Sequence, residues 1–121
     1  MIAIPHAFIV DDEEAVRGSL GRLLRAIGVP STSFASAEAF LEHYTGGETG
    51  CLLVDIRMPG MSGIDLLEEL QRRGSSLAAI VITGHTDEDS LRRLTTLGTV
   101  GLLEKPFSLA QLREMLGRIV G

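Results

Sequence analysis

The chain has 121 residues, of which 45% are hydrophobic and 22% charged, with a net charge of −5. This is enough apolar material for one ordinary domain with a real core, while the acidic balance argues against nucleic acid as a partner of the domain itself. No apolar run approaches the ~20 residues of a membrane span, and the single cysteine, Cys51, excludes an internal disulfide and makes a reducing cytoplasm the simplest setting.

The first ten residues are apolar but have no basic leader or small-residue cleavage site, so they read as a strand rather than a signal peptide. Ala7 to Val10 form the first strand candidate. Val16, Leu20, Leu23, Leu24 and Ile27 then recur at helical spacing, with Gly28 placed to end the helix. Thr32 to Ala35 is a weaker second strand, and Ser36 is placed to cap a short helix running to Tyr44. The glycine-rich segment 46–50 is a loop. Leu52 to Val54 form the third strand, and Ser62 is placed to cap a helix from Ile64 to Arg73, closed by Gly74. Ala78 to Ile82 is the fourth strand, Asp87 to Leu97 a helix ending at Gly98, and Val100 to Glu104 a fifth strand weakened by Gly101. Ser108 to Val120 is a last amphipathic helix. Phe8, Phe34, Phe40 and Phe107 read as packing residues, and Arg92 and Arg93 as a solvated helix face.

Five strand–helix pairs with near-continuous apolar strands predict a single α/β domain, a doubly wound five-stranded parallel sheet covered by five helices on its two faces. In such sheets function gathers beyond the carboxyl ends of the strands. Asp11, Asp12, Glu13 and Glu14 follow strand one, Asp55 ends strand three, Thr83 ends strand four, and Lys105 follows strand five. Each has an ordinary structural explanation by itself: first-turn acids, a turn aspartate, a strand-end threonine, a common Lys-Pro pair. Together they place three aspartates, a hydroxyl and an ammonium at one edge. Carboxylates this close repel one another, and a divalent cation relieves that repulsion. Hard oxygen ligands, few in number and with room for water, suit Mg²⁺. Thr83 and Lys105 can then bind the oxygens of a phosphoryl group carried by Asp55, aspartate being a covalent nucleophile for phosphate. No Cys/His cluster has zinc-ligand spacing, and His6, His43 and His85 are scattered.

The segments "FIVDDEEAVRGSLGRLL", "FASAEAFL", "CLLVDIRMPGMSGIDLLEEL", "VITGHTDEDSLRR" and "LLEKPFSLAQL", and the intervals between Asp55, Thr83 and Lys105, carry a resemblance. The chain resembles, over its whole length 1–121, the receiver domain of two-component response regulators, and the wording "DIRMPGMSG…VITGH…EKPF" is most similar to the FixJ-like branch. The resemblance implies a flavodoxin-like fold of strand order 2-1-3-4-5. It implies that Asp55 accepts a phosphoryl group from the histidine of a sensor kinase, with Mg²⁺ held by Asp11 or Asp12, by Asp55 and by the backbone carbonyl of Arg57. Asp12 would be the more direct metal ligand of the pair. Thr83 and Lys105 would bind the phosphoryl oxygens, the Lys105–Pro106 bond would be cis, and Arg57 and His85 would tune water access. Where most relatives carry a switching Phe or Tyr, this chain has Leu102. Helix four, strand five and helix five would form a homodimer surface, and a cytoplasmic transcriptional regulator is the implied parent.

On this reading the domain is not an enzyme beyond its own phosphoryl acceptance and slow autodephosphorylation. The competing expectation is an aspartyl-phosphate phosphotransferase or phosphatase. Haloacid-dehalogenase-type enzymes need a second aspartate two residues after the nucleophile, where this chain has Arg57. A nucleotide-binding module would need a GxGxxG after strand one, and none is present.

Overall fold

Strands and helices alternate as β1 (Ala7–Val10), α1 (Glu14–Ala26), β2 (Ser31–Phe34), α2 (Ala37–His43), β3 (Cys51–Asp55), α3 (Gly63–Arg72), β4 (Ala78–Thr83), α4 (Glu88–Thr95), β5 (Gly101–Glu104) and α5 (Leu109–Val120). A computed structural model describes residues 4–84, 87–97 and 101–120. The strands form one parallel sheet in the order β2-β1-β3-β4-β5, the order that the resemblance implies.

Side chains alternate across β3. Cys51 and Leu53 join α1 and α5 through Leu20, Leu24, Leu112 and Leu116. Leu52 and Val54 point the other way, to Phe40 of α2, Leu66 and Leu70 of α3 and Leu94 of α4. Both faces are covered, which is why the strand reads as an unbroken apolar run rather than an alternating one. Truncating Leu52 or Leu53 to alanine would cost about 2–5 kcal/mol at such fully packed positions. Cys51 is completely buried, and burial pushes its thiol up to about 12.

β2 begins and ends one residue earlier than the sequence pattern predicts, at Ser31 and Phe34. It is an edge strand with no fully buried residue, so the periodicity carries little register information there. Asp87 is the cap of α4 rather than its first residue, its side chain accepting from Ser90 N at 2.7 Å. Ser108 likewise precedes α5, accepting from Gln111 N at 3.1 Å while Gln111 Oε1 accepts from Ser108 N at 2.8 Å. Gly101 does more than weaken β5: a Cβ there would stand 2.3 Å from Met115 Sδ, so the Met115 side chain of α5 packs directly over the bare backbone.

α4 is the least embedded helix. Leu94 is its buried residue, while Leu91 is 43% exposed. Charge supplements that packing. Arg93 donates to Asp65 Oδ1 at 3.0 Å and Glu68 Oε1 at 2.6 Å on α3, so it is an inter-helix tie rather than a purely solvated residue. Arg57 Nη2 lies 3.8 Å from Asp87 at the start of α4. Exposed pairs of this kind contribute up to about 1 kcal/mol each and weaken with salt.

Candidate functional site

The chain leaves β1 for the edge strand β2 and returns on the other side as β3, which opens a crevice beyond the carboxyl ends of those strands. Asp11 follows directly on β1. Its backbone N donates to Phe34 O at 3.2 Å, and its carbonyl accepts from Arg17 Nη1 at 2.8 Å. Its side chain is 2% exposed, and Oδ1 accepts from Glu13 N at 2.9 Å. Asp55 closes β3, paired in register with Ile82 of β4, and its side chain is 6% exposed. The next β4 residue, Thr83, is buried and lies opposite Glu104 of β5. Lys105 N donates to Thr83 O at 2.8 Å, carrying the register one residue past the strand. The Lys105–Pro106 peptide is cis.

From there the lysine side chain crosses the crevice. Its ammonium stands 3.2 Å from Asp11 Oδ2, 3.3 Å from Glu13 Oε1 and 3.4 Å from Asp55 Oδ2. A tight ammonium–carboxylate pair has N···O distances of about 2.7–2.9 Å. Lys105 is therefore shared among three acids and locked to none.

Carboxylate oxygens of Asp11, Asp12, Glu13 and Asp55 all lie within 4.8 Å of one another. Burial, and then the charge of Asp11, push the Asp55 carboxyl above the usual carboxylate range; Lys105 and the Arg57 N–H oppose that rise. Burial lowers the Lys105 ammonium's affinity for its proton, but Asp11 and Asp55 outweigh burial and its pKa lies above the ordinary value. One ammonium does not neutralise four carboxylates. The donor set is hard oxygen, half of it exposed to water, and its repulsion is visible in Asp55; these residues fit a small divalent cation.

The segment after Asp55 is tied to it at close range. Arg57 N faces Asp55 Oδ1 at 3.4 Å, and Gly63 N donates to Ile56 O at 2.9 Å. Ser62 and Asp65 cap α3 reciprocally, Asp65 N reaching Ser62 Oγ at 3.1 Å and Ser62 N reaching Asp65 Oδ2 at 3.2 Å. Gly63 starts α3 against the end of β3; a Cβ there would meet Asp55 O at 2.1 Å.

The structure thus brings together Asp11, Asp12, Asp55 and Lys105, and sets Thr83 on the strand beside Asp55. The Arg57 side chain points away toward Asp87. Leu102 is half-buried on the α2–α3–α4 side of the sheet and also lines a cleft of about 530 Å³ with Glu104, Met115 and Arg118. His85 lies outside the described residues. Two residues escape the sequence reading of the site. Glu13 reaches Lys105, and its only signal was adjacency to the two aspartates. Gly63 falls between the cap Ser62 and the predicted helix start at Ile64, and acts through a backbone approach that no local pattern encodes.

Residues 7–117 match the family model of the response regulator receiver domain. The chain is 44% identical over 114 residues to the transcriptional regulatory protein FixJ of Azorhizobium caulinodans, covering 91% of this chain and 54% of that protein. It is 38% identical over 112 residues to the response regulator protein TodT of Pseudomonas putida, covering 93% of this chain and 48% of that one. The crystal structure of FixJ-N superposes with a TM-score of 0.85 at 39% identity, over 94% of this chain and 91% of that one. The chain spans about half the length of the curated relatives it matches.

Proposed function

The chain belongs to the response regulator receiver domain family, and from that premise we propose that it accepts a phosphoryl group on Asp55 from the phosphohistidine of a sensor kinase. The observation that carries this reading is the ammonium of Lys105 held between Asp11 and Asp55 at the crevice. An Asp55 carboxylate oxygen forms the new O–P bond as the P–N bond of the donor breaks and the imidazole leaves with the electron pair. Lys105, bound to no single acid, turns to the incoming phosphoryl oxygens, and the Thr83 hydroxyl takes another. Asp11, Asp12, Asp55 and the Arg57 carbonyl would hold Mg²⁺. Bound there, Mg²⁺ supplies neutralising charge for the acid cluster and for the group in transit.

The same arrangement supports a domain modified once per signal rather than a turnover enzyme. Arg57 stands where a phosphatase of the competing class would carry its acid, with its side chain paired toward Asp87 instead. We assign the domain to a transcriptional regulator acting in the cytoplasm; the names of two relatives, the transcriptional regulatory protein FixJ and the DNA-binding transcriptional regulator NtrC, favour the transcriptional role. On the family resemblance, self-association is assigned to the face of α4, β5 and α5.

The Mg²⁺ assignment is tested by thermal or urea unfolding with and without the ion. Wild type should gain about 1.4 kcal/mol when Mg²⁺ is tenfold above its dissociation constant. Asp12→Ala should lose most of that gain while folding normally without metal, since the residue is exposed. An undiminished gain in Asp12→Ala would move the metal elsewhere.

Leu102 bears on how the signal leaves the site. It offers less volume than an aromatic ring and no edge to stack, so swinging inward gains less packing energy. α4, anchored by the single buried residue Leu94 and supplemented by the exposed ties of Arg57 and Arg93, is the element left to move. Amide shifts of free and beryllofluoride-bound protein should therefore change over residues 88–95 in wild type, and Leu102→Phe should enlarge the active population. If the substitution changes nothing, Leu102 does not limit the switch.

A further inference from the structure

We propose that Glu38 of α2 is a positioning residue for the loop that carries the Arg57 carbonyl, and so sets Mg²⁺ affinity without touching the ion; the proposal rests on the metal-site reading above. Glu38 lies in the first turn of a helix whose cap, Ser36 Oγ, accepts from Ala39 N at 3.0 Å. That helix is anchored through Ala37 and Phe40, both completely buried. Its carboxylate is therefore delivered from a fixed base at the same sheet edge as Asp55.

The carboxylate crosses to the segment after β3 and accepts from Met61 N at 3.1 Å. Met58, Pro59, Gly60 and Met61 form a turn in which Gly60 has φ 76°, the left-handed conformation that glycine adopts without strain. A Cβ at Gly60 would stand 2.6 Å from Glu38 Oε2, which shows how closely the carboxylate lies over this turn. The loop 56–62 is then pinned at two separated points. One is the junction with α3, through Gly63 N to Ile56 O at 2.9 Å and the Ser62–Asp65 capping box. The other is Met61 N, held by Glu38 from a different element. Arg57 lies between Asp55 and the held turn, so its carbonyl direction depends on both pins. Outer residues that orient ligands in this way commonly alter metal affinity about tenfold or more.

The mechanism is a hydrogen bond accepted by a carboxyl oxygen, so glutamine should replace glutamate. A through-space effect of charge would not survive that change. The experiment measures Mg²⁺ affinity by calorimetry for the whole 121-residue chain and its Glu38→Ala and Glu38→Gln variants, with metal-free urea midpoints alongside. Glu38→Ala should weaken Mg²⁺ by about tenfold with little change in the metal-free midpoint. Its Arg57 to Met61 amides should shift in metal-free spectra, and Glu38→Gln should restore both. Affinity in Glu38→Ala equal to wild type, or Gln behaving as Ala, overturns the positioning role. A wild type that binds no Mg²⁺ overturns the metal-site reading, and the positioning role with it.

Discussion

Asp55→Asn should take up no phosphoryl group from acetyl phosphate and Mg²⁺, whereas wild type should take up one, read directly as intact mass. Asparagine keeps the shape and one acceptor oxygen but has no anionic oxygen to attack phosphorus. The loss should therefore be complete rather than graded. The fold should survive. The Asp55 carboxyl is raised above its ordinary range by burial and by Asp11, so its charged form is disfavoured in the folded protein. Lost hydration of the buried charge, and then repulsion by Asp11, are a cost at neutral pH that disappears with the charge. The metal-free urea midpoint of Asp55→Asn should thus equal or exceed that of wild type. Equal labelling of the two proteins would remove Asp55 as the acceptor. A mutant that fails to fold would show instead that the carboxylate is structurally required.

Gly63→Ala should destabilise the protein by about 2–3 kcal/mol, in the range of overpacked sites, although it adds only a methyl group. That methyl would stand 2.1 Å from Asp55 O, 2.8 Å from its carbonyl carbon and 3.0 Å from Val54 Cγ2. Two of the three obstacles are backbone, and backbone cannot rotate aside as a side chain does. To make room, α3 must back off the end of β3, and Asp55 with its neighbouring loop must shift with it. Phosphoryl uptake should fall along with stability. Gly21→Ala in the middle of α1 is the matched control. Nothing lies within 4 Å of a Cβ there, so alanine should stabilise by about 0.5–1 kcal/mol through helix propensity alone. Opposite signs for the same chemical change, read as urea midpoints, would establish that space at Gly63 is the cause. Matching signs would refute it.

Much of the site was legible because parallel α/β sheets convert sequence position into spatial position. Asp11, Asp55, Thr83 and Lys105 stand at strand ends, and the strand pattern was strong for β1, β3 and β4, whose side chains are buried on both faces. β2 was placed one residue late because an edge strand with half-exposed residues imposes no clear alternation. Contacts that join distant elements left no local trace. Glu38 to Met61 N joins a helix to a loop and Arg93 to Asp65 joins two helices, and each depends on where separate elements come to rest; the sequence pattern reads Arg93 only as part of a solvated face. Gly63 has no role in the sequence pattern, where the helix starts at Ile64; its work is to let a helix start against a carbonyl oxygen.

The burial of Cys51 gives the protein a built-in clock. It is the chain's one thiol, fully enclosed in the strand that ends in Asp55, and its pKa is pushed up to about 12. Alkylating reagents attack the thiolate, which is scarce at neutral pH and out of reach while β3 is packed. Covalent labelling of this side chain therefore proceeds through conformations in which the central sheet has come apart, and its rate counts those openings. Any ligand or modification that favours the closed sheet slows the count by the same factor that it lowers the open population.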